Sequence, residues 1–183
     1  MSYGVFVESR IQATNIDALN RTAQAEVAVA GGGLVALTAP TTYGNDVWTA
    51  AAPASGSLGN LWIAYNPAEH YTEVNGKIFA GLSKDPRDYT NLANRPFDVF
   101  KPKVGDEIIV TIDCVDASGS SAVAGDILES KANQTTFQRI AKATGATAGS
   151  TAFEIESVFN MPFPQAGIGA AAVKAFRCVC VQE

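Results

Sequence analysis

The stretch Val104–Val110 reads VGDEIIV, and Ala124–Ser130, which begins twenty residues further on, reads AGDILES. In both stretches a small apolar residue precedes Gly-Asp, and an aliphatic run follows. Glycine supplies the positive φ that a tight turn needs, and the adjacent acid can accept hydrogen bonds from backbone amides. We therefore interpret Asp106 and Asp126 as turn residues that lead into β-strands. A catalytic pair of carboxylates would need a shared cleft.

The rest of the C-terminal half continues this β pattern. Glu107–Val115 (EIIVTIDCV) alternates, with Ile108, Val110, Ile112 and Cys114 on one face. Further strands are predicted at Ile127–Ser130, Phe137–Lys142, Ala152–Phe159 and Val173–Val181. The segments between them consist of turn residues. Short strands at this spacing are typical of a small antiparallel β-barrel or sandwich, so the predicted fold class is mainly β, with long loops.

The N-terminal half is less regular. The alternating runs Ala25–Ala30 and Leu34–Thr38 flank Gly31-Gly32-Gly33, which predicts a β-hairpin around the glycines. The triplet is not a phosphate loop, because Leu-Val-Ala-Leu follows it in place of Lys and Ser or Thr. Further short strands are predicted at Asp46–Ala50, Asn60–Tyr65 and Lys77–Leu82. The loop-rich stretch 66–103 around the last of these indicates a functional surface or a partner contact.

Residues 1–24 are predicted to form an extended N-terminal arm, and residues 25–183 a β-rich domain with a sub-boundary near residue 100. The arm starts with an extended stretch and continues with one or two helical turns, for which Asn15 is the predicted N-cap. Arms of this composition are often ordered only against a partner. The predicted partner-binding residues are therefore Tyr3, Phe6, Arg10, Ile16, Leu19 and Arg21.

Composition and charge argue against several classes of protein. The net charge is −5 and no basic run is present, so no cationic surface is expected for nucleic acid. No segment approaches the roughly 20 apolar residues of a membrane helix. The N-terminus lacks the basic and apolar segments of a signal peptide. We expect neither nucleic acid nor a membrane as partner, and synthesis in a cytosol.

The sequence contains no recognisable catalytic or metal-binding set. His70 is the only histidine and has only Glu69 and Glu73 nearby, too few ligands for a metal site. A G-x-S-x-G nucleophile motif is absent. The thiols of Cys178 and Cys180 are expected to be reduced and buried, and a disulfide to Cys114 stays open. We therefore expect no enzyme activity, no cofactor and no metal.

Five aromatic residues leave two interpretations open. They could form a platform on which sugar rings stack, or they could fill the core and an interface, which is the commoner role of aromatic residues on short strands. The residues are Trp48, Trp62, Tyr65, Tyr71 and Tyr89.

Several stretches together resemble a family of viral structural proteins. They are AGDILES, the FQRIAK and ATGATAG that follow it, SVFNMPFPQAG (157–167) and the closing AAVKAFRCVCV. This pattern, over roughly residues 100–183, resembles tailed-bacteriophage capsid decoration proteins, also called cement or head auxiliary proteins. The resemblance implies a virion protein, made in the cytoplasm of the host bacterium, that binds the outside of the capsid. It also implies a non-catalytic role, which is to stabilise the shell by clamping neighbouring major capsid proteins, often as a homotrimer.

Two other functions stay open at the level of the sequence. Another phage structural subunit, such as a tail-tube, connector or head-fibre base protein, would share the β-rich, charge-poor composition. A carbohydrate-binding module would use the tryptophans and tyrosines.

Overall fold

The structure is a computed structural model that describes residues 3–42, 44–67, 71–74, 77–80, 85–163 and 172–183. In this part of the chain the protein is mainly β, and its helices are five short 3-10 turns. None of the described helices is long and apolar enough to cross a membrane. The strands are β1 (Phe6–Arg10), β2 (Asn20–Ala25), β3 (Leu34–Thr41), β4 (Gly44–Ala51), β5 (Trp62–Ala64), β6 (Tyr71–Val74), β7 (Lys77–Ala80), β8 (Pro96–Phe100), β9 (Glu107–Thr111), β10 (Ile127–Ser130), β11 (Phe137–Ile140), β12 (Ala152–Met161) and β13 (Val173–Gln182).

Six strands form an antiparallel sheet in the order β1-β9-β13-β12-β10-β11. The hairpin of β12 and β13 lies at its centre and has the longest pairing, from Ala152–Gln182 to Met161–Val173. The alternation in the sequence places Ile108, Val110 and Cys178 on the buried side of this sheet. The strands predicted in the C-terminal half are therefore confirmed in position, but the one predicted over Glu107–Val115 ends at Thr111. Ile112–Cys114 forms a 3-10 turn instead, so the alternation over these residues wrongly predicted a longer strand.

Five strands close into a small barrel in the order β2-β4-β3-β5-β8. β2 lies between β4 and β8, and it pairs with β4 in parallel and with β8 antiparallel. The remaining pairs in the barrel are antiparallel. β6 and β7 form a separate two-stranded hairpin.

The two sheets share a core because each barrel strand presents residues to both of its faces. Small and aromatic side chains such as Ala23, Trp62 and Val99 fill the interior of the barrel. Their neighbours Ile63 and Phe100 belong to a second cluster, together with residues of the six-stranded sheet. This second cluster joins residues from both sides of position 100.

The predicted hairpin around the three glycines is wrong. Residues 26–33 form no strand, and β3 pairs with β4 and β5, whereas β2 pairs with β4 and β8. The glycines are needed for close backbone approach: a Cβ on Gly31 would lie 3.1 Å from the Cα of Asn66, and Gly32 has a φ of +76°. Gly32 and Gly33 also bond the backbone of Ala64. The alternating valines predicted a strand locally, but long-range packing determines the conformation.

The N-terminal residues are part of the two sheets. β1 pairs with β9, and the boundary predicted after residue 24 falls inside β2. The predicted helical turns are two 3-10 turns, Gln12–Thr14 and Asp17–Leu19. The predicted N-cap at Asn15 is wrong, because Ile16 occupies that position before the second turn and makes no side-chain cap. Of the three residues considered and set aside as metal ligands, Glu69 and His70 lie outside the described residues.

Candidate partner-binding surface

The first Gly-Asp corner joins its own turn to the N-terminal segment. Gly105 has a φ of +94°, and the buried carboxylate of Asp106 accepts a hydrogen bond from the backbone N–H of Lys103 at 2.8 Å. Its other oxygen accepts from the backbone N–H of Gln12 at 3.0 Å. The interpretation of Asp106 as a turn residue is confirmed. The bond to Gln12, 94 positions away, could not be seen in the sequence.

The second corner has the same turn and a different set of partners. Gly125 has a φ of +88°, and the carboxylate of Asp126 accepts from Val123 N at 3.1 Å, Lys142 N at 3.2 Å and Arg139 Nε at 2.8 Å. Burial would raise the pKa of Asp126, but the hydrogen bonds from Arg139 and the two amides outweigh it and hold this pKa below its ordinary value. Asp106 and Asp126 share none of these partners, so they belong to separate corners of the fold.

Residues 8–18 form a largely exposed segment that we call the N-terminal ridge. Ile11 and Ala13 are buried in the shared core and anchor the ridge from below. The side-chain amide of Asn20 donates to the carbonyl oxygen of Ala13 at 2.7 Å, and Asp106 holds Gln12 from the other side. A cleft of about 480 Å³ lies between the ridge and the Asp106 corner. The ridge is thus ordered by the fold itself.

The predicted partner-binding residues divide into two groups. Phe6 is buried against Tyr65 and Phe100, and Leu19 packs against the same core, so neither side chain is presented to an external partner. These apolar residues find their hydrophobic contacts inside the chain. The backbone N–H of Tyr3 bonds the carbonyl oxygen of Arg87, which ties the start of the chain to the fold.

The other predicted residues are exposed or, in the case of Arg21, half-buried. Arg10 is exposed on the ridge, where it lies 3.7 Å from the carboxylate of Glu107. Ile16 is 44% exposed at the ridge, which is high for a large aliphatic side chain. Arg21 lies beside the ridge and lines a second depression.

That second depression, which we call the barrel groove, lies where β2 and β4 begin and β8 ends. It encloses about 800 Å³ and is lined by Asn20, Arg21, Thr22, Asp46, Trp48, Tyr65 and Asp98. The guanidinium carbon of Arg21 lies 4.1 Å from the ring centre of Trp48 and 5.1 Å from that of Trp62. Both rings attract the guanidinium cation, and this contact leaves its N–H groups available for hydrogen bonds.

A short chain of hydrogen bonds links the barrel groove to the ridge. The hydroxyl of Tyr65 donates to the side-chain oxygen of Asn20 at 3.1 Å, and the amide nitrogen of Asn20 donates to Ala13. Burial raises the pKa of Tyr65 to about 12, and the carboxylates of Glu8 and Asp98 add to the shift. The Tyr65 hydroxyl therefore keeps its proton at neutral pH. The groove and the ridge form one continuous, ordered surface.

The five aromatic residues do not form one platform. Trp62 and Tyr89 are buried, whereas Trp48 and Tyr65 line the barrel groove. Tyr71 belongs to β6. Of the charged residues in the groove, Arg21 was predicted from the sequence to bind a partner, whereas Asp46 and Asp98 were not. The parallel pairing that brings β4 beside β2 leaves no local pattern in the sequence.

The three thiols are free and buried, as predicted. Burial raises the pKa of Cys114 to about 12 and that of Cys180 to about 12, and it raises the pKa of Cys178 as well. In the described part of the chain, no group of three or more His, Cys, Asp or Glu residues is placed to hold a metal ion.

Comparison with known proteins gives no relative for this chain: no family model, curated protein or solved structure matches it.

Proposed function

We propose that this protein is a capsid decoration protein that binds the outside of a tailed-phage shell and stabilises it by clamping neighbouring major capsid proteins. The resemblance of the C-terminal half supports this proposal. The structural observation that carries it is the N-terminal ridge, which presents Arg10 and Ile16 on an exposed segment held by buried anchors. A clamp of this kind stabilises by mass action, because it binds the assembled lattice better than the free subunits.

The order of the ridge changes how binding is expected to work. A free arm would lose conformational entropy when it ordered on the shell, and that cost would weaken binding. Here Ile11, Ala13 and the bonds to Asp106 and Asn20 fix the segment in the unbound protein. The contact is therefore preorganised, and we expect side chains of the ridge to determine the affinity.

Both edges of the six-stranded sheet are partly covered, which also favours binding through side chains. At β1, the side-chain amide of Asn66 bonds both the N–H and the carbonyl oxygen of Phe6, in place of a neighbouring strand. At β11, the backbone N–H of Asp116 bonds the carbonyl of Phe137, and the hydroxyl of Ser118 accepts from the N–H of Arg139. Blocked edges resist the addition of a strand from another chain.

The test compares copy numbers in purified particles by quantitative mass spectrometry. A ratio to the major capsid protein near that of the coat lattice is expected, and a handful of copies per particle would place the protein in the tail or connector instead.

Particles that lack the protein should then be incubated with purified wild-type protein and with Ile16→Asp. Ile16→Asp removes an apolar contact and buries a charge at the interface. Its occupancy on the particles should therefore be about tenfold or more below that of the wild type when the added protein is limiting.

The matched control is Val27→Asp. Val27 is 61% exposed and follows β2 at the end of the strand opposite the barrel groove, so the same kind of change is made away from the ridge. Occupancy of Val27→Asp should equal that of the wild type. Equal occupancy of Ile16→Asp and wild type would exclude the ridge as the contact, even if the copy number matched the lattice.

A further inference from the structure

The barrel groove holds an arginine whose hydrogen-bonding groups are unused. Among the described residues, the guanidinium of Arg21 is held by the rings of Trp48 and Trp62 and makes neither a hydrogen bond nor an ion pair. A guanidinium carries five N–H donors in one plane. The partners of the guanidinium here are the two rings, which contact it without using its N–H groups, so these donors stay available to a ligand.

Acceptor groups lie on the walls of the same groove. The carboxylate of Asp98 accepts the hydroxyl of Thr22 at 3.2 Å through one oxygen, and Asp98 is exposed. Asp46 adds a second exposed carboxylate at the start of β4. Asn20 is fixed at both ends of its amide by Tyr65 and Ala13, so that wall is rigid. The groove thus offers hydrogen-bond donors and acceptors together with the indole of Trp48.

The balance of charge limits what the groove can bind. Its lining carries one guanidinium and two carboxylates, and Glu8 lies close enough to affect Tyr65. A phosphate, sulfate or carboxylate ligand would meet this excess of negative charge, while an ammonium ligand would lie beside the cation of Arg21. A neutral ligand with many hydroxyl groups meets neither repulsion, because each hydroxyl can donate to a carboxylate and accept from the guanidinium.

We infer that the barrel groove is a binding site for a neutral glycan, in which Trp48 provides apolar surface for a sugar ring, Arg21 donates to its oxygens and Asp98 accepts from its hydroxyls. The volume of about 800 Å³ lies in the range of about 300–1,000 Å³ found for small-molecule sites, which often lie at the mouths of β-barrels. This inference is independent of the proposed shell contact, since the free protein carries the whole groove.

The experiment uses the purified, full-length protein and no particles. An array of immobilised neutral oligosaccharides, with sialylated and sulfated oligosaccharides as the anionic comparison, identifies what binds. The tightest-binding oligosaccharide is then titrated in solution against tryptophan fluorescence. Asp98→Asn removes the charge and keeps the shape of the side chain, and Arg21→Lys keeps the charge and removes the planar set of donors. Asp17→Asn is the matched control, because Asp17 is an exposed carboxylate outside the groove.

Binding confined to neutral oligosaccharides is expected, with the affinity of Asp98→Asn and Arg21→Lys each about tenfold or more below that of the wild type. The affinity of Asp17→Asn should be unchanged. Circular dichroism of each variant checks that the fold is intact. If Arg21→Lys does not fold, Asp98→Asn still tests the inference, because this substitution is exposed. The inference is overturned if the array gives no binding, if only anionic oligosaccharides bind, or if Asp98→Asn binds as tightly as Asp17→Asn.

Discussion

Replacement of Asp126 by alanine tests whether the second Gly-Asp corner is structural. Asp126 is 3% exposed and accepts hydrogen bonds from Arg139, Val123 and Lys142. Removing one partner of a buried charge pair costs about 3–5 kcal/mol, because the other charge is left without compensation. The side chain of Arg139 is 26% exposed, so water can solvate part of its charge. We therefore expect the lower end, about 3 kcal/mol of unfolding free energy.

The assay is unfolding followed by circular dichroism, in guanidinium chloride and by heating. For a chain of this length, a loss of about 3 kcal/mol corresponds to a fall in Tm of roughly 6–12 °C. Asp17→Ala, an exposed substitution on the ridge, should stay within about 0.5 kcal/mol of the wild type. Asp106→Ala should cost less than Asp126→Ala, because Asp106 accepts from two backbone amides and from no cation among the described residues.

The pH dependence of the unfolding free energy provides a second test of the role of Asp126. The folded state holds the pKa of Asp126 below its ordinary value of 3.8, so protonation favours the unfolded state. The stabilisation is complete above that ordinary value and is lost as the pH falls through the folded pKa. The difference between wild type and Asp126→Ala should accordingly be largest at neutral pH and shrink below about pH 4. A difference under about 1 kcal/mol at pH 7, or one that stays constant into acid, would refute the electrostatic reasoning.

Two further predictions concern the glycines and the thiols. Gly32 and Gly56 both have positive φ, but a Cβ on Gly32 would lie 3.0 Å from the sulfur of Cys114, whereas one on Gly56 would meet nothing within 4 Å. In denaturant unfolding, Gly56→Ala should therefore cost about 1–2 kcal/mol of unfolding free energy, and Gly32→Ala at least 1 kcal/mol more. Equal costs for the two variants would contradict the packing argument. The three buried thiols should resist alkylation by iodoacetamide at pH 8 in the folded protein and should react after unfolding. Labelling is detected by mass spectrometry, and rapid labelling of the native protein would show that the thiols are open to solvent.

The C-terminal half was predictable because its signals are local. The alternation in EIIVT and FRCVCV, together with the Gly-Asp turns, identifies two neighbouring strands, although the alternation continues into Ile112–Cys114, which form a 3-10 turn. Even there the sequence reveals only that Asp126 sits in a turn. It does not reveal that the carboxylate pairs with Arg139, since that contact depends on how β10 and β11 align.

The structure of the N-terminal half was harder to predict because it depends on contacts between residues that are far apart in the sequence. AEVAVA has the alternation of a strand, yet only its first residue, Ala25, lies in β2. The three glycines do lie in a turn, which is closed by the bond from Gly33 N–H to the carbonyl oxygen of Ala30, but this turn joins no hairpin. Here the backbone passes close to Asn66 and Cys114. The barrel groove was hidden for the same reason, since Trp48 reaches Arg21 only through the parallel pairing of β2 and β4.

The ridge and the barrel groove both lie within the first hundred residues, whereas the family resemblance rests on the last eighty or so. The C-terminal half supplies most of the six-stranded sheet, and its Asp106 corner holds Gln12 of the ridge. The part of the chain that resembles decoration proteins therefore acts as a support, and the part without a recognisable pattern carries both candidate contacts. Because the two contacts use different side chains, Ile16→Asp should alter shell occupancy without altering glycan binding, and Asp98→Asn should do the reverse. If either substitution abolished both activities, the ridge and the groove would have to be treated as a single site, coupled through Asn20 and Ala13.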